Sequence, residues 1–373
     1  MALRYAESFG RYGPVGNEAF LTDYWTAAGG VVHLVTGDTT RGNFLGLGVE
    51  LVAGGLNSGA LSKTLTHKGG WTMGARIYFG QAGGSIQAAS LINGFHAGTL
   101  LVTCQLNADG TFSIACGSNV APGSGSSGGT SSFSAHAGRK YYVELQVTGI
   151  ALGSNVAVTA TIRVNGVQVA QGTTNTGVST TQLLLQTATI NRWEIAGPAA
   201  TSSHVFSDIY IVDSDGTVLV NGVAKATPLS TWMGDIKIQP IFPASDTATI
   251  QWTPSPGAAH WNMLNEVPPD EDTTYVKSST VGQQDIYNWQ SIPGFTGTIQ
   301  GVVLSFRARK DDEGTKQFKQ VVGAGGASQS SDTFSVGDEY IYYHFAYDLD
   351  PATFALWTQA GFNGTPFGVN LVA

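Results

Sequence analysis

The sequence predicts an all-β protein: one β-sandwich followed by a second, smaller β-sandwich. Three observations predict it. Apolar and polar residues alternate with a period of two in one segment after another, as half-buried strands require. These segments recur at the roughly 8 to 12 residue spacing of sandwich strands, with Gly, Asn, Asp and Ser between them. Helical periodicity is weak throughout, because glycine or β-branched residues cut every run of about twelve residues, so one or two short helices are the most to expect. A length of 373 residues leaves room for two domains of ordinary size. With 49 glycines and 12% charged residues the chain reads as turn-rich and globular, not disordered.

In VTCQLNADGTFSIAC, Cys104 and Cys116 flank a turn at Asp109 and Gly110 that sets the two sulfurs on facing strands, either bonded or as two buried thiols. They are the only cysteines, so no disulfide framework holds the fold. GSNVAPGSGSSGGTSS, residues 117–132, reads as a long surface loop within one sheet system. YYVELQVTG turns Val143, Leu145 and Val147 inward and Glu144 and Gln146 outward. In NVAVTATIRVNGVQVAQG, Val156, Val158, Ala160, Ile162 and Val164 share one face. Asn165 and Gly166 then form a type I′ turn, which pairs Val164 with Val167 and Ile162 with Val169 on the buried side. FSDIYIVDSDG is a late strand ending in a turn at Asp215 and Gly216; its DSDG also echoes the start of a calcium loop, but Ala224 stands where a carboxylate is needed, which favours the turn.

After that turn the charge, proline content and aromatic spacing change. The first domain is therefore expected over 1–222, a linker over 223–231 and the second domain over 232–373. The second domain opens a question at VPPDEDTTYVK: Asp270, Glu271 and Asp272 follow two prolines and precede an alternating run. They suit a metal trap, a catalytic pair or a solvated corner feeding a strand. Proline keeps the segment out of a central strand, and carboxylates on such a corner are poorly preorganised, so the corner is the preferred reading. RARK, Arg307 to Lys310, is followed at once by DDE and reads as a self-neutralising turn. EYIYYHFAYDLD sets Tyr340, Tyr342, His344 and Ala346 against Ile341, Tyr343, Phe345 and Tyr347. Both faces are apolar or aromatic, so either a core lies on each side or one face meets another subunit, with Tyr340, Tyr342, Tyr343 and Tyr347 as interface candidates. The TFALWTQAGF region is the best place for a short helix.

Net charge is −8, divided between 10 basic and 11 acidic residues up to Gly222 and 8 basic and 15 acidic thereafter, or −1 and −7. Neither half offers the basic stripe that nucleic acid demands. No stretch approaches the roughly 18 apolar residues of a membrane span, and the start lacks a basic region followed by an apolar one, so a soluble chain without membrane insertion or export is expected. Seven dispersed histidines show no zinc spacing, and neither a GxSxG elbow nor a phosphate-binding GxxxxGKS/T occurs. No catalytic residue, metal site or cofactor is expected. Sugar rings stack on exposed aromatic faces, which makes Tyr24, Trp25, Trp71 and Trp193 glycan-binding candidates; core packing is the plainer reading of each.

The order YYVELQVTG, VAVTATIRVNGVQVAQG, FSDIYIVDSDG, together with SFGRYG and the positions of Trp25, Trp71 and Trp193, resembles the concanavalin-like and laminin-G-like jelly rolls over residues 1–222. Glycosidases on such sandwiches carry an E-x-D-x-x-E strand, which is not found here. GDIKIQPIFPASD, the block from Trp252 to Tyr287, GTIQGVVLSFRARKDDEG and DLDPATFALWTQAGFNGTPFGVNLV resemble a segment of tailed-bacteriophage virion proteins. That resemblance implies a non-enzymatic virion structural protein, a tail fibre, adaptor or capsid decoration subunit, made in the bacterial cytoplasm. Its implied partners are other virion proteins and further copies of itself. The alternatives are a module that binds host surface glycan and a polysaccharide-degrading enzyme.

Overall fold

Asn165 and Gly166 carry positive φ values of 50° and 80°, the pair of left-handed residues a type I′ turn needs, and they join Thr159–Val164 to Val167–Thr173. Val164 pairs with Val167 as the turn dictates, but a register shift follows, so Ile162 faces Ala170 and not Val169. Ala160, Ile162, Val164 and Ala170 enter the core; Val167, at the hairpin tip, is 66% exposed. The computed structural model describes residues 2–12, 18–22, 24–28, 31–36, 47–52, 59–65, 70–82, 85–116, 133–148, 159–173, 190–198, 203–213, 217–220, 223–226, 232–257, 259–294, 297–323 and 329–373. The 117–132 loop, Val156, Val158 and the Asp215–Gly216 turn lie outside them.

The hairpin forms one margin of an eight-stranded antiparallel sheet. Its order continues through Lys140–Thr148, Trp71–Phe79, Ser203–Asp213, Leu47–Val52 and Val31–Thr36, with Ala2–Glu7 also on Ser203–Asp213. A six-stranded sheet faces it, in the order Phe112–Cys116, Thr99–Leu106, Ala89–His96, Arg192–Ala196, Ala60–Thr64 and Thr26–Ala28. Between them lies one apolar core with Trp71 and Trp193 in edge contact at 3.8 Å and Trp25 against Tyr5 and Phe9. Cys104 is a buried free thiol opposite Ile114, while Cys116 stands opposite Val102, so the two cysteines are not paired across the strands.

The second sandwich is smaller. Its main sheet runs Pro243–Ile250, Gln284–Trp289, Phe367–Leu371, Lys316–Val322 and Gln329–Ser330, with Phe334–Val336 also on Lys316–Val322. Facing it is a two-stranded sheet of Val302–Ala308 and Ile341–Tyr347. Phe306, Phe318, Phe334 and Tyr343 fill one part of the gap, and Leu304, Tyr347, Trp357 and Phe367 the other. The short helix Gln359–Asn363 occurs within the expected region, and the Thr358 hydroxyl accepts from the Gly361 amide at its start. A hairpin of Thr217–Val220 with Val223–Ala226 crosses the position expected for the domain boundary.

The two sandwiches are packed on each other. Glu144 and Gln146, expected outward, are both buried: Glu144 lies where the outer face of the large sheet is covered by the second unit, and Gln146 donates to the Thr72 hydroxyl of the neighbouring strand. Tyr142, Tyr210 and Val212 on that face pack with Met233, Ile236, Val303 and Ala346. The Glu144 carboxylate accepts from the Tyr210 hydroxyl at 2.5 Å and the Gly234 amide at 2.8 Å. Arg76 pairs with Asp208 and Asp235 and donates to the Ile236 carbonyl, each at 2.8 Å. Among the described residues no helix is long and apolar enough to cross a membrane.

Candidate functional site

The contact between the sandwiches leaves a cavity of about 1000 Å³, at the upper end of the range for ligand sites. Leu3, Glu7 and Arg11 form its wall on the first sandwich. The extended segment 235–243 forms a second wall, the 263–279 region a third, and the run 297–312 a fourth.

At the junction of the walls sits a buried polar cluster. The Glu7 carboxylate accepts from the Tyr5 and Tyr12 hydroxyls at 2.9 Å, from the Phe9 amide at 2.8 Å, and from Arg11. Arg11 also reaches the second sandwich, where its guanidinium lies 3.1 Å from Nδ1 of His344 and 3.4 Å from the Ser305 hydroxyl. Arginine has only donors, so Nδ1 of His344 must accept and the ring is neutral. Burial, then Arg11 and Lys63, hold the His344 imidazole well below its ordinary range. Lys63 donates to the Tyr24 carbonyl at 3.0 Å and sits over the Tyr24 ring; burial, with Arg11 adding, pushes its ammonium down to about 7.

The acidic corner is braced from the opposite wall. Glu271 pairs with Arg307, and Asp272 accepts from Arg309 at 2.8 Å and from the Tyr340 hydroxyl at 2.9 Å, which holds the Asp272 carboxyl below its usual range. Asp270 accepts from the Thr274 amide and hydroxyl, and the strand Tyr275–Lys277 follows. The segment is the expected corner before a strand. The RARK reading needs correction: Arg307 and Arg309 are neutralised by Glu271 and Asp272 and not by the DDE that follows them in sequence, although Asp312 does pair with Lys316. Among the described residues no group of three or more His, Cys, Asp and Glu is arranged to hold a metal ion.

Of the aromatic candidates, Trp25, Trp71 and Trp193 are 1%, 0% and 0% exposed and present no face to a sugar. They are core, because closing two sheets over one another requires large apolar volume between them. Tyr24 is half-buried in the cluster described above, stacked on Tyr5 and edge-on to His344 at 4.0 Å. The tyrosine strand has a core on each side, and both belong to this chain. Tyr343 and Tyr347 face the second sandwich's own core, whereas Tyr342 packs into the core cluster of the first and contacts Tyr12 edge-on at 5.8 Å. Tyr340 is half-buried at the cavity rim, over which Arg307 and Arg309 lie at 5.7 and 5.1 Å. Of the two covers the sequence left open for the second face, the one seen is a core within this chain, supplied by the first sandwich.

Sequence reasoning missed Glu7, Arg11, Lys63 and His344, which come from three separate segments. Only the SFGRYG stretch, with Arg11 between aromatic residues in an otherwise sparsely charged half, hinted at them. Trp252, Trp289 and Tyr275, half-buried on the cavity wall, were also missed.

No family model matches the chain, and no curated protein matches it. Solved structures resemble a little over half of it. The cellulose induced protein Cip1 is 15% identical, with 57% of this chain and 98% of that one covered at a TM-score of 0.37. A carbohydrate esterase from the Shiga toxin-encoding bacteriophage phi24B is 13% identical, with 57% and 100% covered at 0.38. The potassium-bound carbohydrate recognition domain of Emp46p is 13% identical, with 56% and 96% covered at 0.36.

Proposed function

We propose that the chain is a non-enzymatic structural subunit of a bacteriophage virion, a tail-fibre, adaptor or capsid decoration component working through protein–protein assembly. The observation that carries the reading is how the cavity's acids are used. Glu7, Glu271 and Asp272 each face an arginine and brace the walls, and do not face one another across the gap. A cleft in which three of the lining acids are matched by arginines of the same chain, with isoleucine, valine and phenylalanine prominent in the rest of the lining, has the chemistry of an interface. The virion as its setting is supported by the resemblance of the second half to tailed-phage virion proteins. On this reading the partners are other virion proteins and further copies of the chain, assembled in the bacterial cytoplasm. A tagged copy expressed during infection is expected in gradient-purified particles at a fixed ratio to the major capsid protein; recovery only in the soluble fraction overturns the proposal.

Binding of a host surface glycan is the second reading, and a separate observation favours it. Trp252, Trp289 and Tyr275 line the cavity half-buried, with Glu266 and Asp270 beside Tyr275 on the 263–279 wall, a combination of ring faces and hydroxyl acceptors that sugars use. A glycan array separates the two: signal abolished by Trp252→Ala supports it, and a blank array removes it. Reducing-end release from a capsular polysaccharide, followed in the same samples, reads out the third possibility of degradation.

A further inference from the structure

The strand Val302–Ala308 has one strand neighbour among the described residues. It pairs with Ile341–Tyr347, from Val302 opposite Tyr347 to Ala308 opposite Ile341, without a register shift. Its other long edge is turned to the cavity. Successive side chains of a strand point to opposite faces, so a strand lying flat on a cavity contributes every second residue. Here residues 297–312 line it without a break, Leu304 and Ser305 alike, as a strand presented edge-on does.

Such an edge offers N–H and C=O groups at a two-residue repeat, and over seven residues it spans about 24 Å. Natural edges are blunted by proline, by charge or by a bulge. Val302 to Phe306 reads VVLSF and has none of these. The wall beside it supplies Ile236, Ile238, Ile241 and Phe242, apolar surface for the side chains of an added strand. At the far end Arg307 and Arg309 are already matched by Glu271 and Asp272, so these two cations do not call for an acidic occupant. Alternating backbone donors and acceptors flanked by apolar walls match a polypeptide in extended conformation, with main-chain bonds for affinity and alternate side chains for selectivity.

We propose that the edge of Val302–Ala308 is a docking site for an extended, alternately apolar segment of a partner protein, which adds a third strand to the two-stranded sheet. This rests on the reading of the chain as an assembly protein and names the surface it would use.

The test uses the full chain and three synthetic twelve-residue peptides: five Thr-Val repeats between terminal lysines, the same composition with the valines clustered, and the repeat peptide N-methylated at every second residue. Hydrogen exchange is followed by mass spectrometry. The repeat peptide is expected to slow exchange of the 302–308 amides at least tenfold and to bind at least tenfold more tightly than the other two. Equal binding of the N-methylated peptide, protection confined to other segments, or no binding at millimolar peptide each overturns the proposal. A run with mixed oligosaccharides in place of peptide checks the remaining ligand class, and protection of 302–308 by sugar alone also overturns it. If the peptides fail while the tagged chain still enters particles, the edge is wrong and the assembly reading survives; exclusion from particles removes that reading on its own.

Discussion

Arg11 joins two sandwiches by one side chain, between Glu7 of its own unit and His344 of the other. Removing it leaves the buried Glu7 carboxylate without its countercharge, a loss of about 3–5 kcal/mol for pairs of this kind. Arg11→Ala should therefore lower unfolding stability by that order in urea titration. Arg309→Ala, whose partner Asp272 is exposed, should change it little. An equal effect of the two would show that the Arg11 cluster is not a buried contact. His344 gives the pH dependence. Its folded pKa lies well below the unfolded value near 6.5, so between the two the unfolded chain binds more protons and stability falls as pH falls. The groups facing His344 are Arg11 and Lys63, both cationic in acid, with Glu7 beyond them as the nearest counter-ion. His204, held by burial at about 4, adds in the same direction between 6.5 and 4. His344→Gln should flatten part of the acid loss in melts taken from pH 7 to pH 5, and an unchanged profile would remove His344 from the account.

At the level of elements, the type I′ hairpin was legible because its requirement is local. Two residues at positive φ are needed, and Asn-Gly meets the need whatever surrounds it. Gly166→Val should cost about 1–2 kcal/mol, the penalty of a left-handed β-branched residue, seen as a lower melting temperature with an unchanged spectrum. The register beyond the turn was not legible, since the shift after Arg163 depends on how the strand bends over the core and leaves no mark in the alternation. The tyrosine strand shows the same division. Two apolar faces announce burial on both sides, yet composition does not say whether the second cover is another subunit or another part of the same chain. The first sandwich supplies it through Tyr12, so Tyr342→Ala should loosen the contact between units by about 3–5 kcal/mol. The readout is faster exchange of amides on both sides of the contact; a change confined to the second sandwich would argue against the shared core.

For the whole molecule, the outer face of the large sheet is the deciding surface. Glu144, Tyr210 and Val212 are covered by the second unit, and Asp348 accepts from the Leu3 amide at 3.1 Å on the first strand. A chain ending at Ala226 would uncover that face. It is expected to bind a hydrophobic dye more strongly than the full chain and to form irregular aggregates in sedimentation that the full chain does not form; a monodisperse, dye-silent fragment would mean that the sandwiches are independent bodies.

The sequence alone determined the all-β class, the inward residues of the best strands, the turn at Asn165 and the short helix after Pro351, because period-two alternation, positive φ and capping are properties of neighbouring residues. Tertiary structure decided which tryptophans are core, where Arg307 and Arg309 find their acids, what covers the polar face of the large sheet and where a strand edge opens on a cavity. Those depend on groups tens to hundreds of residues apart meeting in space, and the free energy of their meeting, from desolvation, opposite charge and shared apolar surface, leaves no periodic trace along the chain.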